Sequence, residues 1–205
     1  MEAQQATSLR DEHRNVTRTR ILEAAEAVFS NRGYSATSTS DIVDAAGVSR
    51  GTFYLHFKNK AEVLVEVVTS SHFEPAIELI GRLGDVEMTS PAALEPWLRE
   101  FVDLYSRTSR IVRAWIQGEG KEGGALTPVH DRFMGAFIDT MIPRISSLRS
   151  RNKGSADSDD LRIRALLMFV QLERFCYYLC IRRADIDLDK GVRLLAATWY
   201  SLLNG

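Results

Sequence analysis

Within the stretch GVSRGTFYLHFKNKAEV (Gly47–Val63) stand Arg50, Thr52, Tyr54, His56 and Lys60, side chains that donate hydrogen bonds or carry positive charge, beside Gly51, whose bare backbone admits close approach. Groups of this kind suit phosphates and base edges: arginine reads guanine or clamps phosphate, while hydroxyls and main-chain amides meet phosphate oxygens and thymine methyls. Phe53 and Phe57 are four residues apart and share a helix face, so the two rings are assigned to packing and Arg50, Tyr54 and one edge of His56 to the opposite side. A helix this short is marginal in water by itself, so neighbouring elements must hold it.

Those neighbours can be read from periodicity and caps. Ile21, Leu22, Ala25, Val28 and Phe29 form one apolar stripe, with Gly33 where a left-handed C-terminal cap belongs. Ser38 and Asp41 have capping-box spacing, Ile42, Val43 and Ala46 make an apolar face, and Gly47 ends that helix. Ser49 then caps a helix from Arg50 to about Phe57, and Asn59 with Glu62 repeats the pattern for the next. Three compact helices with a glycine-centred turn of three residues match a helix-turn-helix, whose last helix enters the major groove. The amides at the helix starts, at Thr39, Ser40 and Lys60, are placed for phosphates.

The remainder also has helical spacing and no strand-like alternation, so the chain reads as all-α, with about nine helices. The segments predicted beyond Lys60 are a helix to Leu83 kinked or broken at Pro75, and helices over Pro91–Arg107, Arg110–Gln117, Pro128–Ser150 with a kink at Pro143, Asp160–Arg183 and Asp189–Leu203. GEGKEGGALT and SRNKGSADSDD read as loops. The predicted organisation is a flexible arm over 1–16, a helix-turn-helix domain over 17–62, and a larger helical domain over 63–205 that binds effector and dimerises.

The whole chain of 205 residues, 45% of them hydrophobic, carries a formal net charge of −1, so affinity for a polyanion must come from local clustering. No GxSxG, HExxH or phosphate-loop order is present, the four histidines are scattered, and the reading is of no enzyme, catalytic residue, metal or cofactor. Neither a signal peptide nor a membrane span is visible, and Cys176 and Cys180 read as small core hydrophobes, which together point to the cytoplasm.

TSTSDIVDAAGVSRGTFYLHFKNKAEVL resembles the DNA-binding signature of the TetR family of bacterial transcriptional regulators, and ILEAAEAVFSNRGYSATS resembles that family's first helix and turn. Gly33, Tyr34, Thr39, Ala46, Gly47, Val48, Ser49, Tyr54, Phe57 and Lys60 fall in register, over roughly residues 17 to 65. The resemblance implies an all-helical homodimer that binds a palindromic operator and is released by a small molecule in its larger domain. It carries DNA contacts onto Thr39, Ser40, Arg50, Gly51, Thr52, Tyr54, His56 and Lys60, with Phe53 as core. Family members often have a basic arm ahead of the first helix; here Arg10, Arg14, Arg18 and Arg20 are interleaved with Asp11 and Glu12.

In the larger domain, Trp97, Phe101 and Tyr105 stack at i, i+4 and i+8, and Trp115, Phe133, Phe137, Met141, Phe169 and Phe175 lie on other helices. Together with Glu173 and Cys176 they are candidates for a mainly apolar pocket holding a small hydrophobic or aromatic effector, or else for a filled core. Glu173 and Arg174, set in an apolar helix, need partners and read either as a salt bridge or as a polar anchor for ligand. The helix from Asp160 is apolar on nearly all sides, so a second subunit is expected to cover one face, through Tyr177, Tyr178, Leu195, Trp199 and Leu202. The alternatives are a DNA-binding regulator without a small-molecule effector, and an activator.

Overall fold

A computed structural model describes residues 2–121, 127–151 and 157–204. All regular structure among them is helical. The helices are α1 (Glu2–Arg32), α2 (Thr39–Ala46), α3 (Arg50–His56), α4 (Lys60–Val68), α5 (Glu74–Leu83), α6 (Glu95–Glu119), α7 (Thr127–Arg151), α8 (Ser158–Cys176) and α9 (Leu188–Asn204). Two compact units divide the chain: Met1–Ser70 with Arg110–Leu126, and Ser71–Ser109 with Thr127–Gly205. The first therefore includes the second half of α6, which a boundary after residue 62 leaves out.

In the first unit the expected caps are formed. Ser38 Oγ accepts from the Asp41 amide at 3.2 Å and Asp41 Oδ2 accepts from the Ser38 amide at 2.8 Å, closing the capping box of α2. Ser49 Oγ accepts from the Thr52 amide at 3.0 Å and Asn59 Oδ1 from the Glu62 amide at 2.9 Å, starting α3 and α4. Gly33 (φ 74°) and Gly47 (φ 60°) both end helices in the left-handed region, where a Cβ is strained. Ile21, Ala25 and Phe29 of α1 are buried with Ile42 of α2, Phe53 of α3 and Leu64 of α4. Each large apolar side chain among them stabilises the unit by about 1.5–3 kcal/mol relative to exposure.

Several boundaries differ from the expectation. The first helix extends back to Glu2, through the segment expected to be a flexible arm. The helix expected from Lys60 to Leu83 is interrupted just ahead of Pro75: α4 ends at Val68, Thr69–Phe73 forms a π-helical turn, and α5 starts with the proline in its first turn. A widened turn gives the ring clearance from the preceding carbonyls and makes its missing N–H harmless. The helices expected over 91–107 and 110–117 are one, α6, preceded by a 3-10 turn at Pro91–Leu94. At the expected break Thr108 Oγ1 donates to Leu104 O at 2.8 Å, so the hydroxyl bonds within the helix instead of competing for a turn. α8 passes into a π turn, Tyr177–Ile181, and stops where Arg183 takes φ 51°. Of the expected loops, 122–126 and 152–156 lie outside the described residues, while Gly118, Glu119, Thr127, Ser150, Arg151, Ser158, Asp159 and Asp160 belong to helices.

The second unit is centred on aromatic rings. Trp97 and Phe101 of α6, Phe133 and Phe137 of α7, Phe169 of α8 and Trp199 of α9 are all buried. The Trp97 indole nitrogen donates to Leu79 O of α5 at 2.7 Å, giving its buried polar atom a partner.

Candidate nucleic-acid interface

α3 divides by face as its sequence spacing requires. Phe53 is 0% and Phe57 2% exposed, whereas Tyr54 is 58% and Leu55 76% exposed, with Arg50 and Gly51 also open to solvent. The rings of Phe53 and Phe57 stand 5.9 Å apart between centroids, and Tyr54 meets Phe53 edge-on at 5.4 Å. Arg50 Nη2 donates to Ser40 Oγ at 2.7 Å, bringing together the start of α2 and the start of α3. Thr52 is half-buried, its Oγ1 2.8 Å from Ser49 Oγ. Thr39 and Ser40 are half-buried at the amide end of α2. Arg50, Gly51, Tyr54, Ser40 and Thr39 thus occupy neighbouring positions with donors available for phosphates and base edges.

Two expected contacts have other engagements. Lys60 Nζ donates to Tyr34 O at 3.0 Å and Thr37 O at 2.7 Å and lies 4.1 Å from the Tyr34 ring centroid. Its ammonium closes the turn between α1 and α2. The same turn is held by Thr37 Oγ1 donating to Gly33 O at 2.7 Å, and by the Tyr34 amide donating to Gln117 Oε1 of α6 at 3.0 Å. His56 is half-buried, and burial first, then the cations Arg14 and Arg18, hold its imidazole below its ordinary pKa.

Arg18, grouped by sequence with the basic arm, is a fastener. Its Nη1 donates to the His56 carbonyl at 2.8 Å, its Nε to Glu66 Oε1 at 3.1 Å and its Nη2 to Glu66 Oε2, while the guanidinium lies 4.2 Å from the Phe57 centroid. One planar fork thereby joins α1, the end of α3 and α4, a geometry lysine does not reproduce. Leu55 is a further outward-facing residue that the sequence marks only by its register, opposite the two phenylalanines.

The candidates in the second unit form a connected cluster. Centroid distances are 5.5 Å for Trp97–Phe101, 6.3 Å for Phe101–Phe133, 5.3 Å for Phe133–Phe169 and 5.6 Å for Phe137–Phe169. Tyr105, Met141 and Cys176 are buried in the same unit. Trp115 is buried too, in the first unit. Glu173 pairs with His130 at 2.9 Å, while Arg174 lies 5.0 Å over the Tyr177 ring, so the two adjacent charges do not serve each other. Burial raises the Cys176 and Tyr105 pKa values, with Cys180 and Glu173 adding to both.

His72, which no sequence motif marks, is buried beside Tyr105, Phe73 and Phe133. The Thr108 hydroxyl spends its proton on Leu104 O, so His72 Nδ1, 2.7 Å from Thr108 Oγ1, is the donor there. Burial lowers the His72 pKa to about 4. Among the described residues no group of three His, Cys, Asp or Glu could hold a metal ion, and no helix is long and apolar enough to cross a membrane.

Two residues expected at a subunit contact are internal. Trp199 is 0% exposed, packed on Trp97 and Phe137 at 5.9 and 5.6 Å, and Leu195 is also buried. Their stripe on α9 faces the unit's own core. The exposed apolar side chains lie one step round, at Ile163, Leu166, Leu167 and Val170 of α8, Leu194 of α9, and Tyr178, with Tyr177 and Leu202 half-buried.

A cap-defined three-residue turn followed by a short helix with one aromatic and one donor-rich face defines a helix-turn-helix protein, here with a second all-helical unit. Residues 21–67 match the model for bacterial regulatory proteins of the tetR family. That segment carries the DNA-binding signature of the TetR family. It is 48% identical over 56 residues to the HTH-type transcriptional regulator TtgR of Pseudomonas putida, a match spanning only about a quarter (27%) of either chain. With the HTH-type transcriptional repressor BepR of Brucella suis it shares 30% identity over 136 residues, 65% of each. The crystal structure of NalD, the secondary repressor of the MexAB-OprM multidrug efflux pump in Pseudomonas aeruginosa, superposes with a TM-score of 0.63 at 25% identity, covering 92% of this chain and 96% of that one.

Proposed function

We propose that this protein is a transcriptional regulator that binds a palindromic DNA operator as a homodimer and is released from it by a small hydrophobic effector. The observation that carries the reading is the division of α3, with Phe53 and Phe57 inside and Arg50, Gly51 and Tyr54 outside. Base contacts are assigned to Arg50 and Tyr54, and phosphate contacts to Thr39, Ser40, Gly51, Thr52 and the amides at the starts of α2 and α4. Lys60 acts through the turn it closes.

Dimerisation is supported by the unpaired apolar stripe on α8 and α9, since an exposed patch of this kind marks an interaction surface. A two-fold pair of recognition helices reads half-sites about 34 Å apart, one duplex turn, or a multiple of it. Repression is supported by the names of BepR and NalD. The effector reading rests on the aromatic cluster, with Tyr105, His72 and the His130–Glu173 pair as its polar groups. The direct ring-to-ring contacts favour a second reading, in which the cluster is filled core and regulation needs no small molecule.

Selection of duplexes from a random-sequence pool tests the DNA role: the expected product is a palindrome, and failure to enrich any duplex at modest salt overturns it. A thermal-shift screen with apolar and charged compounds tests the effector. Stabilisation by apolar compounds supports it, and an operator-binding protein that no compound stabilises favours the second reading.

A further inference from the structure

We propose that an open groove between α1 and α3 seats the sugar–phosphate backbone of duplex DNA, with Arg14 as its phosphate partner; this extends the DNA reading above and rests on it. The groove has a volume of about 460 Å³ and is lined by His13, Arg14 and Thr17 of α1 and by Thr52, Leu55 and His56 of α3. It thus continues from the outward face of α3 onto α1, the helix ahead of the turn-linked pair α2 and α3. Its size is many times the ~30 Å³ share of a water molecule, room for a phosphodiester and part of its sugar.

The lining chemistry selects an anion. One arginine, two histidines and two threonines line the groove beside Leu55, and none of its lining residues is acidic. The nearby carboxylate of Glu66 is engaged by Arg18. Arg14 and Arg18 are one helical turn apart on α1, yet their situations differ. Arg18 is bound on three sides within the protein, whereas Arg14 is exposed and, among the described residues, has no ion pair. Burial first, and then the cations Arg14 and Arg18, depress the His56 pKa, and of these two cations Arg14 is the one without a carboxylate partner among the described residues. His56 Nδ1 is also buried without a hydrogen-bond partner. Phosphate rather than base is the occupant that fits, because a long positive side chain and hydroxyls track a backbone without reading sequence.

The test is the salt dependence of binding, measured by anisotropy on a labelled duplex that the wild-type protein has enriched from a random-sequence pool. Arg14→Gln is expected to lower the slope of log K against log salt by about 0.9, one phosphate's worth, with equal loss on enriched and unrelated duplexes. Arg14→Lys keeps most of the slope, and Thr17→Glu, which places a carboxylate in the groove, weakens binding at least tenfold. Arg132→Gln, the same charge change on an exposed site of the second unit, leaves the slope at the wild-type value. Melting temperatures check that each variant is folded. An Arg14→Gln protein with wild-type slope overturns the groove while leaving DNA binding intact, whereas a wild-type protein that enriches no duplex overturns the DNA reading itself.

Discussion

The first unit turns Phe53 and Phe57 inward so that a polar face can be shown, while the second turns its buried aromatic residues toward one another. Phe53, on one side of the seven-residue α3, and Phe57, at its C-cap, are buried, and what lies opposite them is open to solvent. Trp97, Phe101, Phe133, Phe137, Phe169 and Trp199 form a continuous set of ring contacts instead. In the first case the same register that defines the core also defines the site, as its complement. In the second, core and candidate site are drawn from the same side chains, so burial alone does not separate them.

The strongest way to break the contrast is at its anchor. Phe53→Ala removes a fully buried ring, and a loss of about 3–5 kcal/mol in denaturant unfolding is expected, together with DNA binding. A smaller loss with retained binding would mean that α3 is held chiefly by its caps and by Arg18.

His72 sharpens the other side. Its folded pKa of about 4 lies below its ordinary 6.5, so between those values the unfolded chain binds more protons and stability falls as pH falls. The loss from this group, complete near pH 4, is about 3 kcal/mol. His72→Phe should flatten the melting temperature between pH 6.5 and 4; an unchanged acid limb would show that His72 is solvated in solution.

Lys60→Met comes next, since two hydrogen bonds from a charged group to carbonyls are lost at a partly buried turn. Destabilisation of about 1.5–3 kcal/mol is expected, with the salt slope of DNA binding unchanged. A slope lower by about 0.9 would return Lys60 to the phosphates. Ser38→Ala, removing the α2 cap, should cost about 1 kcal/mol and affect binding only through stability.

What the sequence reveals follows the same division. Caps and glycine ends are local, so α2, α3 and the turn between them are legible from Ser38, Asp41, Gly47 and Ser49 alone. The extension of α1 to Glu2 is hidden because those residues are polar and show no apolar period. Lys60 shows its charge but not the carbonyls of Tyr34 and Thr37, which are 26 and 23 positions away. Trp199 and Leu195 invite assignment to a subunit contact because a stripe on a terminal helix does not say which side holds the core. Arg18 misleads for a similar reason, since its three partners come from two later helices and the residue that follows one of them.

The outward face of α3 is tested most directly by the double substitution Arg50→Ala with Tyr54→Ala, measuring melting temperature and affinity for an enriched duplex on the same protein. Both side chains are exposed and lose only a hydrogen bond to Ser40 and an edge-on contact with Phe53, so the melting temperature should stay within about 4 degrees of wild type, in keeping with about 1 kcal/mol for the pair. Affinity for the enriched duplex should fall at least about thirtyfold, from about 1–3 kcal/mol for each of the two lost contacts. Wild-type affinity in the folded double variant would contradict the account.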